Sequence, residues 1–181
     1  YPASMTKVMT MYIVFEELNR GALKKSSKIK FSKRAAGQPP SKLGLKSGQT
    51  ISVENAMLAL VTKSANDVAT AIAERISGSE INFAKRMTKT ARKLGMNSTN
   101  FTNASGLHNR HQKSTARDMA KLAAAIRNDF PQYYKIFDTR SFIWNGRKYK
   151  NHNKLLDAYA GTDGIKTGYV NASGFNLMAS V

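Results

Sequence analysis

The sequence predicts an α+β protein, with helices through the first 130 residues and antiparallel strands after them. Apolar residues recur at helical spacing in five segments between residues 4 and 128. Beyond Pro131 the pattern changes to short strand-like segments, and Asn145-Gly146 is a favoured two-residue hairpin turn. The composition, 41% apolar and 22% charged, is that of an ordinary globular chain, and 181 residues suffice for one core.

The first two helices have clear signals at their ends. Residues 4–20 predict a helix with Ser4 as its N-cap and Gly21 as the residue that stops it. A second helix is expected over about residues 51–63, with Ser52 as its cap and an apolar interior.

Three more helices are expected after a short break at residues 64–66. Thr115 and Asp118 are placed as a capping box at the start of the last one. The stretches between the helices are basic or polar and predict loops. The expected helices cover residues 67–76, 80–94 and 115–128, and the two long loops cover 22–50 and 96–113.

Four strands complete the prediction. Two of them, 141–144 and 147–150, flank the hairpin turn, and two more, 163–169 and 174–181, are joined by a turn at 170–173. Isolated two-stranded pairs are marginal in water, and the chain opens on a helix and ends in a strand pattern. We therefore expect further strands of the same sheet to lie outside this sequence.

Composition excludes several classes of chemistry. The chain has no cysteine, so it has no disulfide, thiolate zinc site, iron–sulfur cluster or cysteine nucleophile. No apolar run is long enough for a membrane span, and the first residues lack a signal-peptide pattern. A net charge of +18 favours anionic partners, which leaves nucleic acid, anionic lipid and anionic wall polymers open.

The first motif that permits catalysis is Ser4-Met5-Thr6-Lys7. Positions three apart lie on one helix face, so the serine hydroxyl and the lysine amine can meet. The helix N-terminus favours negative charge on Ser4 and disfavours the ammonium form of Lys7. The pair therefore predicts a nucleophile with an amine as its general base.

Two further motifs lie later in the chain. Ser64-Ala65-Asn66, at a helix junction, offers a hydroxyl that can relay a proton and an amide that can bind a substrate amide. Lys166-Thr167-Gly168, on a predicted strand, offers a cation and a hydroxyl to a carboxylate, and its glycine lets a substrate lie against the backbone. Each motif alone is weak, because similar spacings occur by accident at 27–30, 46–48 and 98–100.

The three motifs in this order resemble those of low-molecular-mass penicillin-binding proteins that act as serine-type D-alanyl-D-alanine carboxypeptidases. The resemblance covers most of the chain, through PASMTKVMT, VTKSANDVATAIAE, NASGL with STARDMAKLA, NHNKLL and GTDGIKTGYVNASGFNLMAS. It implies the penicillin-recognising, β-lactamase-like fold, an α/β sandwich of antiparallel sheet and packed helices. It also implies one catalytic domain over 1–181, with a helical lobe inserted at about 35–135 and with terminal strands and any C-terminal domain outside the chain.

The resemblance assigns a role to each motif position. Ser4 is implied as the acylated nucleophile, Lys7 as its base and Ser64 as the proton relay. Asn66 is implied to bind the peptide backbone, and Lys166 and Thr167 to hold the terminal carboxylate of D-alanine. The oxyanion hole is implied to consist of the backbone N–H groups of Ser4 and Tyr169, the residue after the motif glycine Gly168, which itself borders the substrate.

Two positions depart from the pattern of some relatives. His152 stands where some relatives have an arginine near the substrate carboxylate, and a histidine is a weaker anchor unless it is protonated. Tyr169 stands where some have histidine. Both departures bear on substrate preference and leave the predicted reaction class unchanged.

The resemblance also implies partners and a compartment. Peptidoglycan stem peptides are the expected substrates and β-lactams the expected inhibitors, with no cofactor, no metal and no specific nucleic acid. The expected location is periplasmic or otherwise extracytoplasmic, with the full-length protein associated with the inner membrane through segments beyond this chain. His108 and His111 have a spacing used by metal ligands, but they lie in a polar loop without an acidic or thiol partner.

Three alternatives stay open. A class A β-lactamase needs a loop glutamate for deacylation, and residues 96–113 contain no carboxylate, so this alternative is disfavoured. A D,D-endopeptidase acting on cross-links would use the same machinery. A basic non-catalytic module that binds cell-wall polymer or nucleic acid would explain the charge without the motifs.

Overall fold

A computed structural model describes all of residues 1–181. The order of elements is helical first and mixed afterwards, as the sequence predicts. A short 3-10 turn, Ala3–Met5, leads into the first helix, and a second 3-10 turn covers Lys135–Asp138. The helices are α1 Thr6–Asn19, α2 Lys33–Ala36, α3 Val53–Thr62, α4 Asn66–Ser77, α5 Glu80–Lys93, α6 Ala116–Asp129, α7 Pro131–Tyr134 and α8 Leu155–Ala158.

The strands form three antiparallel pairs. The strands are β1 Lys28–Lys30, β2 Thr50–Ser52, β3 Ser141–Trp144, β4 Arg147–Lys150, β5 Gly164–Val170 and β6 Gly174–Ser180. They pair as β1 with β2, β3 with β4 and β5 with β6. The hairpin about Asn145-Gly146 and the β5–β6 pair confirm the strand predictions. Strand β1 lies in a stretch predicted as loop, and β2 covers the end of that stretch and the first residues of the second predicted helix.

Helix α1 is the centre of the core. Eleven of its fourteen residues are buried, including Phe15 and the functional candidate Lys7. Its apolar side chains pack into one continuous cluster with α3, α4, α5 and α6. A helix buried on nearly all sides keeps its first turn in a fixed place, so the residues at its start are rigidly positioned.

Most of the predicted helix ends are confirmed, and two are corrected. Gly21 follows α1 with a φ of 76°, and the Ser52 hydroxyl accepts a hydrogen bond from the backbone N–H of Asn55. Ser4 is not an N-cap: it lies inside the 3-10 turn, and no side chain caps α1. Its hydroxyl is therefore not used by the helix backbone and is free for other contacts.

The second correction concerns the start of α6. The Thr115 hydroxyl accepts a hydrogen bond from the N–H of Asp118, as predicted. The Asp118 carboxylate does not return to the cap but accepts hydrogen bonds from Ser98 N–H and the Thr99 hydroxyl. It thereby fixes the start of the long loop 96–113 on α6.

Nearly all of the carboxylates have a hydrogen-bond or ion-pair partner within the protein. Ten of the eleven have a hydrogen-bond or ion-pair partner, and Glu54 is the exception. Glu80 shows the pattern, because its buried carboxylate accepts hydrogen bonds from Arg34, Thr70 and the N–H of Ala104. Only five of the 29 basic side chains form an ion pair, namely Arg20, Arg34, Arg86, Lys121 and Arg140. The positive charge is therefore largely unopposed.

No helix in the structure is both long enough and apolar enough to cross a bilayer. The division into a core and a lobe at about 35–135 stays a prediction.

Candidate active site

The Lys7 amine joins two of the predicted motifs, those of Ser4 and Asn66, to the loop 96–113. Lys7 lies in the first turn of α1 and is 1% exposed. Its Nζ lies 3.1 Å from Oγ of Ser4, 2.8 Å from Oδ1 of Asn66 and 2.6 Å from the backbone oxygen of Ser105. The i,i+3 contact between Ser4 and Lys7 follows from the helical spacing.

The partners of Lys7 fix the direction of its lone pair. A neutral amine has two N–H donors and one lone pair. The oxygens of the Asn66 amide and the Ser105 carbonyl only accept, so each takes one N–H. Ser4 Oγ is the one neighbour that can donate, and the lone pair therefore points at the proton that must be removed.

The Asn66 side chain is itself locked in this orientation. Its Nδ2 donates to the backbone oxygen of Pro39 at 3.1 Å, and a carbonyl oxygen can only accept. The amide oxygen must therefore face Lys7. Next to it, the Asp67 carboxylate accepts the N–H groups of Leu43 and Gly44 and holds that loop at the start of α4.

Burial and like charge both act on Lys7. Burial lowers the pKa of the Lys7 amine well below its usual value, the Lys166 ammonium lowers it further, and Asp67 partly opposes both. Removing an ammonium from water costs free energy that no carboxylate contact repays here. The neutral form needed for a base is thus favoured by the site.

Lys166 is the second buried lysine of the site. It lies on β5, is 3% exposed, and donates from Nζ to the backbone oxygen of Thr167 at 3.0 Å. Burial lowers its pKa to about 7. A carboxylate bound beside it would hold the proton on Lys166, because opposite charge stabilises the ammonium.

Ser64 lies between α3 and α4 with a backbone φ of 58°, which is uncommon for a residue other than glycine. It is 5% exposed, and its Oγ is buried without a hydrogen-bond partner in the protein. Strained residues and unsatisfied polar atoms concentrate at functional sites. The hydroxyl is available to donate to or accept from a bound molecule.

Ser4, Ser64 and Asn66 border one cleft of about 720 Å³, whereas the side chains of Lys7 and Lys166 are buried and do not line it. Its walls come from the start of α1, the α3–α4 junction, loop 96–113, helix α8 and the β5–β6 pair. No aspartate or glutamate lines it. The predicted residues among its lining are Ser4, Ser64, Asn66, His152, Thr167, Gly168 and Tyr169.

Gly168 brings β5 against the backbone of the serine turn. A Cβ at this position would lie 3.0 Å from the N of Ser4 and 3.2 Å from both Ala3 Cβ and the N of Met5. Only glycine allows this approach without displacement of a neighbour. The predicted oxyanion pair, Ser4 N–H and Tyr169 N–H, therefore comes from two segments in direct contact.

His152 and Tyr169 lie at the rim of the cleft, and both are exposed. Burial lowers the pKa of the His152 imidazole, and Lys166, Lys63 and Lys7 lower it further. The imidazole is thus neutral at pH 7 and offers no fixed charge to a carboxylate. The Tyr169 ring packs beside Phe175 with 4.8 Å between ring centroids, and its hydroxyl donates to Asn171.

The loop 96–113 supplies a part of the site that the motif analysis missed. Besides the Ser105 carbonyl, it contributes Gly106 and Leu107 to the cleft. Asn103 Oδ1 accepts from the N–H groups of Ser105 and Gly106, a local turn typical of asparagine. The signal in the sequence was Asn103-Ala104-Ser105-Gly106, which indicates a turn but not its position.

The structure contains no group of three or more His, Cys, Asp or Glu side chains arranged to hold a metal ion. The two loop histidines have other neighbours. His108 lies 4.9 Å from the Tyr1 ring, between ring centroids, and His111 accepts a hydrogen bond from Arg110.

Comparison with known proteins identifies the family of this chain. The Peptidase_S11 family model, described as D-alanyl-D-alanine carboxypeptidase, matches residues 1–181. The chain belongs to this family. A curated relative, D-alanyl-D-alanine carboxypeptidase DacA of Haemophilus influenzae, is 39% identical over 99% of the chain, and DacF of Bacillus subtilis is 37% identical over 99%. The chain spans about half the length of these relatives, 47% in each case.

Solved structures of the family have the same fold. D-alanyl-D-alanine carboxypeptidase DacD from Francisella tularensis superposes with a TM-score of 0.96 at 31% identity, over 98% of this chain and 56% of that one. Penicillin-binding protein 5 from Haemophilus influenzae gives 0.94 at 38% identity, over 99% and 53%. Penicillin-binding protein D2 from Listeria monocytogenes, in its ampicillin-bound form, gives 0.84 at 30% identity, over 96% and 71%. The predicted family and fold class are therefore confirmed.

Proposed function

We propose that this chain carries the catalytic centre of a serine D,D-peptidase, which removes the terminal D-alanine of peptidoglycan stem peptides through an acyl-enzyme. The observation that carries the proposal is the Lys7 amine. Its Nζ contacts Ser4 Oγ and two oxygens that only accept, those of Asn66 and Ser105, so in the neutral amine the lone pair faces Ser4 Oγ. Membership of the carboxypeptidase family supports the reaction class.

Acylation begins when Lys7 takes the proton of Ser4 Oγ and the oxygen attacks the carbonyl carbon of the penultimate D-alanine. The new Oγ–C bond gives a tetrahedral oxyanion, which faces the backbone N–H groups of Ser4 and Tyr169. The C–N bond to the terminal residue then breaks. The proton passes from Lys7 through the unpartnered Ser64 hydroxyl to the leaving nitrogen, and D-alanine departs as the free amine.

Lys166 and Thr167 bind the terminal carboxylate in this proposal. Both lie on β5 next to Gly168, which places the carboxylate site within reach of the serine turn. Asn66 Nδ2 uses one N–H on Pro39 and keeps a second for the substrate backbone. The charged contact to Lys166 selects substrates that end in a free carboxylate.

Deacylation relies on Lys7, since no aspartate or glutamate lines the cleft. A water takes the place of the departed amine, loses a proton to Lys7 and adds to the acyl carbon. The Ser4 Oγ–C bond then breaks as Lys7 gives its proton to Oγ, and the shortened peptide leaves as a carboxylate after its new carboxylic acid releases a proton to solvent. A β-lactam acylates Ser4 by the same first step, but its ring-opened amine stays attached and the acyl-enzyme persists. The β-lactams are thus proposed as inhibitors.

The substrate places the reaction outside the cytoplasm, in the periplasm or an equivalent extracytoplasmic space, because peptidoglycan is assembled there. The surface of the molecule as a whole fits an anionic polymer, since few of its basic side chains have a carboxylate partner. Acylation of Ser4, rather than polymer binding, is nevertheless the activity that the geometry supports best.

The decisive experiment is intact-mass measurement after incubation with benzylpenicillin, on the wild type and on Ser4→Ala, with circular dichroism on both. One adduct on the wild type and none on the folded variant is expected. A folded wild type that stays unmodified contradicts the proposal, and strong salt-dependent retention on heparin or DNA would then favour the non-catalytic module.

A matched assay on a stem pentapeptide and on a cross-linked dimer distinguishes the two peptidase activities. Release of D-alanine from the pentapeptide is expected to be the faster reaction. Faster cleavage of the dimer would identify an endopeptidase with the same centre.

A further inference from the structure

The site contains a second layer behind Lys7, centred on Gln112. Gln112 is 2% exposed, lies at the end of loop 96–113 and does not border the cleft. Its Oε1 accepts the backbone N–H groups of Thr102 and Asn103, at 2.8 and 3.1 Å, and the Thr102 hydroxyl at 3.0 Å. Its Nε2 donates to Asn103 Oδ1 at 3.1 Å and to Thr6 Oγ1 at 3.3 Å.

Asn103 connects Gln112 to the turn that contains Ser105. The same Oδ1 that accepts from Gln112 also accepts the N–H groups of Ser105 and Gly106, at 3.2 and 2.7 Å. These bonds set the turn that carries the Ser105 carbonyl. Gln112 thus holds both sides of the Lys7–Ser105 contact, since Thr6 precedes Lys7 on α1 and Asn103 orders the turn opposite.

We propose that Gln112 is a positioning residue for the acylation step: through Asn103 and Thr6 it holds the Ser105 carbonyl against the Lys7 amine and so fixes where the lone pair points. This inference rests on the proposed function. Gln112 touches neither the cleft nor Ser4, so it acts on the reaction only through the groups that it holds, which are Lys7 and the Ser105-Gly106 turn. We call the hydrogen bonds of Gln112 to Asn103 and Thr6 the Gln112 clamp. Without this clamp, the Ser105 oxygen moves away from the Lys7 Nζ, and the amine can turn an N–H toward Ser4.

The clamp also has a consequence for protonation. A carbonyl oxygen in contact stabilises an ammonium more than an amine, so withdrawal of the Ser105 oxygen lowers the Lys7 pKa. The other groups that act on Lys7 stay in place: Lys166 on β5, Asp67 on α4 and His152 at the cleft rim. The pH dependence of acylation therefore reports on the clamp separately from stability.

The test compares Gln112→Met with Thr99→Val, measured by stopped-flow acylation with benzylpenicillin from pH 5 to 9. Methionine keeps the length of glutamine without its hydrogen bonds. Thr99 is a matched control: it is fully buried in the same loop and bonded to Asp118 and Ser114, but not to Asn103 or Ser105. Both variants are expected to lower the melting temperature.

Only Gln112→Met is expected to reduce the first-order acylation rate, by about 10- to 100-fold. Its non-covalent affinity for penicillin is expected to stay close to that of the wild type. The acidic limb of its profile of acylation rate against pH is expected to move to lower pH. Thr6→Val removes one of the five hydrogen bonds of Gln112. It is expected to lower the acylation rate and to move the acidic limb to lower pH, each by less than Gln112→Met does. It serves as the test if Gln112→Met does not fold.

Two results would overturn the inference. One is an unchanged rate and acidic limb in a folded Gln112→Met, and the other is an equal loss of rate in Thr99→Val. Neither result bears on the proposed function. The proposed function fails only if the wild type is not acylated, or if the Ser4→Ala variant is acylated. The two proposals can therefore fail separately.

Discussion

The Lys7 amine lies closer to the backbone oxygen of Ser105, at 2.6 Å, than to the hydroxyl of Ser4, at 3.1 Å. The base is thus held by a neutral backbone group from 98 residues further along the chain. A carboxylate in that place would keep the lysine charged, whereas a carbonyl can orient the amine and still leave it free to lose its proton.

The pH dependence of acylation should be bell-shaped. The rate is expected to rise as Lys7 loses its proton, which burial and Lys166 favour, and to fall above about pH 7 as Lys166 loses its own. The two lysines interact, so the limbs describe the pair. Second-order acylation rates from pH 4 to 10 provide the measurement. A rate that keeps rising to pH 10 would show that the Lys166 cation is not needed.

Replacing Lys166 by methionine should stabilise the protein at low and neutral pH. The folded-state pKa of about 7 lies below the unfolded value of 10.5, so folding expels a proton between these values. The penalty is complete below pH 7 and disappears as the pH rises through 10.5. The expected gain in unfolding free energy is up to about 4 kcal/mol at pH 6. Urea unfolding at pH 6 and 10 measures it.

The same Lys166→Met variant should lose affinity for the carboxylate of penicillin. Its Lys7 pKa should rise, because the repulsive charge is gone, and the acidic limb of acylation should move to higher pH. A variant that is neither more stable at pH 6 nor shifted in its acidic limb would contradict the burial argument. Lys154→Met, on an exposed residue at the cleft edge, is the control.

Adding a methyl group at Gly168 should impair acylation more than stability. The Cβ of Gly168→Ala would press on the Ser4 backbone N at 3.0 Å and move the serine turn away from β5. We expect a loss of about 1 to 3 kcal/mol in stability and about 100-fold in acylation rate. Gly37→Ala is the matched control, since its Cβ would meet the Lys33 oxygen at 3.2 Å and Gly37 does not line the cleft. Equal acylation rates in Gly168→Ala and Gly37→Ala would show that the contact between Gly168 and the Ser4 backbone is not needed for acylation.

Arginine at position 152 should strengthen carboxylate binding. The wild-type imidazole is neutral at pH 7 because burial and three nearby lysines lower its pKa. His152→Arg is therefore expected to lower the KM for the stem pentapeptide several-fold at pH 7.5, whereas His152→Gln should leave it unchanged. Steady-state D-alanine release measures both, and a raised KM in His152→Gln would show that the neutral ring itself binds substrate.

The local parts of the site could be predicted from the sequence. Ser4 and Lys7 lie three residues apart in one helical turn, so their contact needs no tertiary information. The three motifs converge as the family resemblance implied, but the residue spacing alone could not bring Lys166 next to Lys7. The reaction roles of these residues stay predictions.

Non-local parts escaped the sequence analysis. The contact of Lys7 with Ser105 depends on how a polar loop folds back on α1, and the loop composition indicates only turns. The pair β1–β2 was missed because each strand has three residues and a single buried apolar side chain, Ile29 or Ile51. Ser4 has the ordinary N-cap signal, a serine just before an apolar run at helical spacing, and this signal does not reveal the 3-10 turn that contains it.

The internal engagement of ten carboxylates has a consequence for handling the protein. With a sequence pI of about 10.3 and 29 basic side chains against 11 acidic ones, the molecule keeps a large positive net charge between pH 5 and 9. The molecule therefore carries a dense cloud of small anions over that whole range. Its adsorption, solubility and retention on a cation exchanger will therefore depend far more on ionic strength than on buffer pH, because added salt screens the surface charge.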